Sequence, residues 1–259
     1  MENDMNDTLA QPTLKLTDQQ LQQYRDEGYT LVPGLIPATD LEPARRELLA
    51  LEAGEHDWPE DYFQYPDPAK VRNPKGGKLI GGVQRPAKKS EHFNRIAQHA
   101  NLQAAMAALL GGPVKLFTNQ CGIKSRYITT EQGGMSFFHQ DSYYWHIAPE
   151  LGCNCWIPFQ DVGKDAIALA VMPRSHVGWK LVEHEQYFDD PAFFTGQSTK
   201  PFQRHRIPLD TIDFSKEVIV PMKAGDGLFF TNYTWHRSEK NKTGRTMMFY
   251  AIAYQRAGQ

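Results

Sequence analysis

Cysteine is scarce in this chain: Cys121, Cys153 and Cys155 make an odd, sparse set of three. Such a set speaks against a disulfide framework and for thiols kept reduced, as in the cytosol. Net charge is nearly absent as well. Lys and Arg total 28 against 30 Asp and Glu, a formal −2, so neither nucleic acid nor an anionic membrane is expected as the main partner. No apolar run reaches the roughly 18 residues of a membrane span. Residues 1–12 are polar and acidic, without the apolar segment of a secretory signal, and a cytoplasmic location is expected. No internal repeat or low-complexity tract is visible, and the oligomeric state is left open.

What the chain does have is enough apolar material for a core. At 259 residues and 41% hydrophobic content, it fits one domain of barrel or sandwich type. Residues 1–14 read as a disordered tail and residues 15–259 as the single domain. Thr17 followed by Gln20 is a capping box, with Leu16 and Leu21 as its hydrophobic staple. Gly28 should end that helix, and Tyr29 to Val32 reads as a short strand. A second helix is expected from Thr39 or Asp40, and further helices over 90–98 and 102–110. The stretch 54–82 shows no steady period and reads as a long loop. From Val114 onward strand-like runs follow one another: 114–118, 123–128, 135–139, 153–159, 166–172, 218–222, 228–231 and 247–254. Helices first and strands afterwards predict a mainly β protein with flanking α-helices, a jelly-roll or cupin-like double-stranded β-helix.

The chemistry is concentrated in Phe137-Phe138-His139-Gln140-Asp141. If this segment is extended, His139 and Asp141 leave the same face and converge on one metal. His236 lies far along the chain, just after the apolar run 228–231, and a rolled-up double sheet can bring it opposite. Two His and one carboxylate on one face of an octahedral metal leave the other face open, the arrangement of non-haem Fe(II) oxygenases. A histidine satisfied by a neighbouring Asp on a strand is the competing reading of His139. Arg245 stands at the edge of the oily run Met247-Met248-Phe249-Tyr250. There its guanidinium can hold a carboxylate in a bidentate grip, with Ser238 adding a hydroxyl. A salt bridge to a surface acid is the alternative for Arg245.

With these residues in view, the chain resembles the phytanoyl-CoA dioxygenase (PhyH-like) family of iron/2-oxoglutarate oxygenases, from about Leu16 to Tyr254. Phe138-His139-Gln140-Asp141-Ser142-Tyr143-Tyr144-Trp145 is similar to its most characteristic segment. Ala224-Gly225-Asp226, an apolar strand and then His236-Arg237-Ser238 are similar to its second metal strand. The resemblance implies Fe(II) held by His139, Asp141 and His236, with 2-oxoglutarate as cosubstrate and O₂ as oxidant. Arg245 and Ser238 would grip the distal carboxylate of 2-oxoglutarate. Trp156 would line its pocket, and Lys124 or Gln120 on the preceding strand could reach it. The family often shows Pro-Gly-Ser-His where this chain has Pro173-Arg174-Ser175-His176. Arg174 loses the freedom of glycine at positive φ, so the turn is expected to differ, with the guanidinium available to the substrate.

The substrate is expected to be a small organic molecule such as a secondary metabolite or an amino-acid-like compound. Tyr143 and Trp145 follow the ligands at same-face spacing if the strand continues, and the irregular stretches 58–83 and 177–213 would close over it. Two rivals stand beside this reading. One is a cupin-type metal enzyme that does not use 2-oxoglutarate, which would need no buried cation at Arg245. The other is a non-catalytic binding or sensor protein on the same fold.

Overall fold

The computed structural model of the chain describes residues 12–65, 74, 79–127, 136–187, 193–195, 201–202 and 205–258. The helical flank comes first. Helix α1 (Asp18–Glu27) starts at Thr17, whose side chain and that of Gln20 form both halves of the capping box, and it ends at Gly28 with φ 83. Strand β1 (Tyr29–Val32) leads to α2 (Ala38–Ala53), closed by Gly54 at φ 79. Strands β2 (Phe63–Tyr65) and β3 (Gly82–Gln84) precede α3 (Glu91–Ala97) and α4 (Ala100–Leu110). The β half holds β4 (Val114–Lys124), the short helix α5 (Asp141–Trp145), β5 (Gly152–Pro158) and β6 (Leu169–Val171). It continues with β7 (Glu185–Gln186), β8 (Phe193–Thr195), β9 (Pro201–Phe202) and β10 (His205–Arg206). Strands β11 (Val218–Ile219), β12 (Gly227–Thr231), β13 (His236–Ser238) and β14 (Met247–Arg256) complete it.

Nine strands form one sheet in the order β1-β12-β5-β14-β4-β3-β2-β8-β9, and a three-stranded sheet runs β11-β6-β13. The large sheet is apolar on both faces, and alternation divides its residues between two cores. Cys121, Ile123, Cys155, Ile157, Phe229, Met248, Tyr250 and Ile252 pack under Leu48 of α2, Phe93 of α3 and Leu102 of α4. Their neighbours Trp156, Leu228, Phe230, Met247 and Ala251 face Leu169 and Val171 of the small sheet. Each large side chain buried this way contributes roughly 1.5–3 kcal/mol. Two facing sheets with helices over one outer side make the jelly roll that the strand pattern predicts.

Three expectations need correction. The two runs 114–118 and 123–128 are one strand as far as Lys124, because the polar Asn119 and Gln120 between them pair with Ile252 and Ala251 of β14. Asn119 is tolerated at 3% exposure since its Oδ1 accepts from Ala87 N and from the Tyr250 hydroxyl. The stretch 54–82 is not all loop: it supplies β2, paired with β3 and β8, although 66–73 and 75–78 lie outside the described residues. Of the expected tail, Thr13 N and Leu14 N donate to Asn101 Oδ1 of α4, so the end of that segment is pinned. Residues 1–11 lie outside the described residues. No described helix is long and apolar enough to cross a membrane.

Candidate metal centre

His139 and His236 are partners in an antiparallel bridge, with His139 N donating to His236 O at 3.1 Å and His236 N to His139 O at 3.2 Å. That pairing puts the two imidazoles on the same side, tilted by 49° with ring centroids 4.3 Å apart. Each ring is oriented in the same way by its own backbone. His139 Nδ1 lies 2.9 Å from Phe137 O, and His236 Nδ1 lies 3.0 Å from Thr234 O. A carbonyl at Nδ1 keeps the proton there and leaves the Nε2 lone pair for a metal.

Asp141 reaches the same point by a different route from the one its spacing predicts. The segment is not one strand carrying both residues. The chain is extended at Gln140 (φ −115, ψ 130) and then turns into α5, of which Asp141 is the first residue. Gln140 makes the turn possible. It is fully buried, its amide donates to Lys180 O and Tyr233 O, its Oε1 accepts from Val182 N, and its backbone N–H donates to His184 Nε2. With Gln140 fixed, Asp141 Oδ1 lies 3.8 Å from His139 Nε2 and 3.6 Å from His236 Nε2. The ligand atoms of the three residues all lie within 4.8 Å of one another. Two neutral imidazoles and one carboxylate oxygen converging from a bridge and a helix start are a fit for a single octahedral Fe(II).

Asn154 on β5 completes the cluster, donating from Nδ2 to Asp141 Oδ2 at 2.9 Å. Burial pushes the Asp141 carboxyl above the usual carboxylate range, opposed by His236 and by the Asn154 hydrogen bond. A divalent cation held there would reverse that balance and keep the carboxylate ionised. Asn154 is absent from the residues that the sequence singles out. Its one visible signal is same-face spacing with Trp156.

Around the triad lies a cluster of rings. Tyr144 sits 6.2 Å from the His139 ring, and its hydroxyl bonds both the N–H and the carbonyl of His205. Tyr143 stacks on His184 at 4.2 Å and 22° and lies 5.3 Å from His205. Desolvation holds the His184 pKa below the usual imidazole value, with His205 adding to the effect. Among the described residues, Tyr143 thus meets the stretch 177–213 through His184 and His205, while Trp145 points elsewhere. On a helix, residues at i and i+2 diverge, and Trp145 packs instead on Phe117 at 5.7 Å.

The remaining expected residues divide. Trp156 is buried on the inner wall and stacks on Phe249 at 5.0 Å and 27°. Gln120 and Lys124 pair with Ala251 and Met247, which face the space between the sheets, so both share the inner wall, and Gln120 Oε1 accepts from Gln84. Ser238 also faces inward from β13, its hydroxyl accepting from Ser136 N at 3.0 Å. Arg245 does not enter the barrel. It is exposed on the turn before β14, where its carbonyl accepts from Asn241 Nδ2 and Thr243 Oγ1. Arg174 is exposed too, and the turn keeps the left-handed backbone (φ 64) that the missing glycine would favour. Its backbone N–H donates to Glu27 O at the end of α1, which fixes it beside the helical flank.

With this geometry in place, comparison with known proteins becomes informative. Residues 24–248 match the family described as Phytanoyl-CoA dioxygenase (PhyH). The chain belongs to that family. Membership gives the centre iron(II) as metal, 2-oxoglutarate as cosubstrate and O₂ as oxidant, and makes the protein an iron/2-oxoglutarate-dependent oxygenase. Solved structures agree in fold. The epimerase SnoN in complex with Fe3+, alpha ketoglutarate and nogalamycin RO superposes with a TM-score of 0.65 at 21% identity, over 92% of this chain and 83% of that one. SnoK, a non-heme alpha ketoglutarate dependent carbocyclase from nogalamycin biosynthesis, gives 0.65 at 20% identity, over 96% and 88%. EctD from S. alaskensis in its apoform gives 0.68 at 17% identity, over 97% and 82%. Comparison with curated proteins found no match.

Proposed function

We propose that this oxygenase hydroxylates a small organic molecule of mixed character, a secondary metabolite or an amino-acid-like compound, with release of succinate and CO₂. The observation that carries the reading is the shared position of Asp141 Oδ1 against both Nε2 atoms, a donor set that would hold iron(II) and leave room for a cosubstrate. When bound, iron with 2-oxoglutarate and O₂ supplies the oxidation of a C–H bond coupled to decarboxylation of the cosubstrate.

The chain's own residues orient and shield that reaction. Phe137 O and Thr234 O hold the two imidazoles in their metal-binding tautomer. Trp156 and Phe249 keep the inner wall apolar, which excludes water from the oxidant. Tyr143, His184 and His205 offer flat rings with polar edges beside the triad. The buried His205 Nδ1, without a partner among the described residues, is a polar atom for a substrate to bond. Such a wall suits a compact molecule with both apolar and polar groups. The three free, buried thiols support a reducing compartment, and we assign the protein to the cytoplasm.

SnoN is named as an epimerase and SnoK as a carbocyclase, so this fold serves outcomes other than hydroxylation. Screening candidate compounds for stimulated 2-oxoglutarate consumption tests the reading. The expected result is one succinate per product, the product being heavier by one oxygen atom. A product lighter by two hydrogens, or one of unchanged mass, would replace hydroxylation by ring closure, desaturation or epimerisation.

A further inference from the structure

The distal carboxylate of 2-oxoglutarate needs a cation inside the barrel, and β14 does not supply it. Arg245 is exposed, and the first strand residue to turn inward after it is Met247, 1% exposed within the inner core. The register pairs Met247 with Lys124 on β4, and paired residues of antiparallel strands share a face. Gly122 confirms which face. A Cβ there would fall 2.1 Å from the Phe249 ring, the ring that stacks on inward-facing Trp156. Among the described residues of β4 and β14 on that face, Lys124 is the partly buried cation, whereas Lys115, paired with Gln255, is exposed.

Lys124 also sits at the right end of the barrel. Asn241 Nδ2 donates to Lys124 O at 2.8 Å, so the turn after β13 is fastened to it. Moving along β13 from the ligand His236, the next inward residue is Ser238, and that turn follows directly. A diacid whose keto-acid end lies on the metal therefore extends past Ser238 towards Lys124. The Ser238 hydroxyl is already paired with the Ser136 hydroxyl at 3.0 Å, which offers two oxygens at that level.

We propose that Lys124 holds the distal carboxylate of 2-oxoglutarate, assisted by the Ser136–Ser238 hydroxyl pair, and that Arg245 takes no part. The proposal rests on the iron/2-oxoglutarate reading of the centre. An ammonium is a point charge with rotatable donors, where a guanidinium is a rigid fork. The grip at this position is therefore electrostatic and does not require a bidentate geometry.

The test measures binding rather than turnover. Manganese(II)-loaded protein is titrated calorimetrically with 2-oxoglutarate and with 2-oxobutyrate, which lacks the distal carboxylate. Native protein should prefer 2-oxoglutarate by about 100-fold or more, as expected when a buried carboxylate gains its charged partner. Lys124→Met should bring the two ligands to similar affinity, with manganese binding and thermal midpoint preserved. Lys124→Arg should restore much of the preference, and Arg245→Met should leave it unchanged. Lys124→Gln replaces Lys124→Met if the latter misfolds. A preference that survives loss of Lys124 but falls in Arg245→Met would overturn the proposal. Native protein that binds neither keto acid would overturn the 2-oxoglutarate reading itself, which is a different result.

Discussion

Asn154 Nδ2 lies 2.9 Å from Asp141 Oδ2, while the other oxygen of that carboxylate faces both histidine Nε2 atoms at 3.8 and 3.6 Å. One oxygen is thus committed to the protein and one to the metal. The hydrogen bond fixes the carboxylate plane and would leave Oδ1 as the oxygen to hold a metal. Asn154→Ala should free Asp141 to rotate and leave Oδ2 buried without a donor. Metal affinity should fall by about 10–100-fold, the usual effect of losing such a supporting contact. Iron titration followed by calorimetry checks this, and unchanged affinity would show that Asp141 is positioned by α5 alone.

Removing a ligand should be more severe than removing its support. His139→Ala, Asp141→Ala and His236→Ala each leave two donors where the centre needs three, and each should abolish turnover. Native protein should hold about one Fe(II) per chain, and each variant should retain little after desalting. Elemental analysis gives the answer directly. Full iron content in His236→Ala would remove that residue from the centre.

The metal triad was legible in the sequence because its three residue types carry the chemistry themselves. The geometry behind it was not. Same-face spacing on a strand predicts the meeting of His139 and Asp141, yet they meet across the start of a helix, since Gln140 is held by Lys180, Val182, His184 and Tyr233. Those partners are distant in sequence and leave no local pattern. Trp145 is affected in the same way, since on α5 it diverges from Tyr143. The outward placement of Arg245 is illegible for a related reason: the strand starts at Met247 as its apolar run predicts, but nothing local says to which side the turn before it directs the guanidinium. The helical flank is legible because caps are local. Thr17, Gln20 and Gly28 determine α1 without help from the rest of the fold.

The thiols make a prediction in pH. Cys121, Cys153 and Cys155 are at most 2% exposed, and burial pushes Cys153 from the ordinary 9.0 up to about 12 and the other two well above 9.0. At pH 8 the native protein should resist iodoacetamide under conditions that alkylate all three thiols in denaturant, as mass spectrometry would show. A folded pKa above the unfolded one means that the neutral thiol stabilises the fold fully below about pH 9. That contribution is lost as pH rises through the range towards the folded values. The thermal midpoint should therefore drop between pH 9 and pH 11, and less so in Cys153→Ala. Rapid labelling of native protein at pH 8 would contradict the burial.

Gly122 offers a test of the inner wall that does not touch the metal. It lies on β4 between Gln120 and Lys124, facing Phe249, and an added Cβ would fall 2.1 Å from Phe249 Cζ and 2.2 Å from Cε1. A ring edge can usually swing aside, but this ring is stacked on Trp156 at 5.0 Å, and Trp156 is 3% exposed in a packed core. Displacing one ring therefore displaces the other. Overpacking of this kind costs about 1–3 kcal/mol, so Gly122→Ala should lower the thermal midpoint by several degrees. Because Trp156 must move, its fluorescence should change as well, and 2-oxoglutarate should bind more weakly to the reshaped wall. Iron content should stay at the native level, since His139, Asp141 and His236 are held by other elements. If Gly122→Ala matches the native protein in stability and fluorescence, the Phe249–Trp156 stack does not fill that wall, and the account of the inner face given by β4 and β14 is wrong.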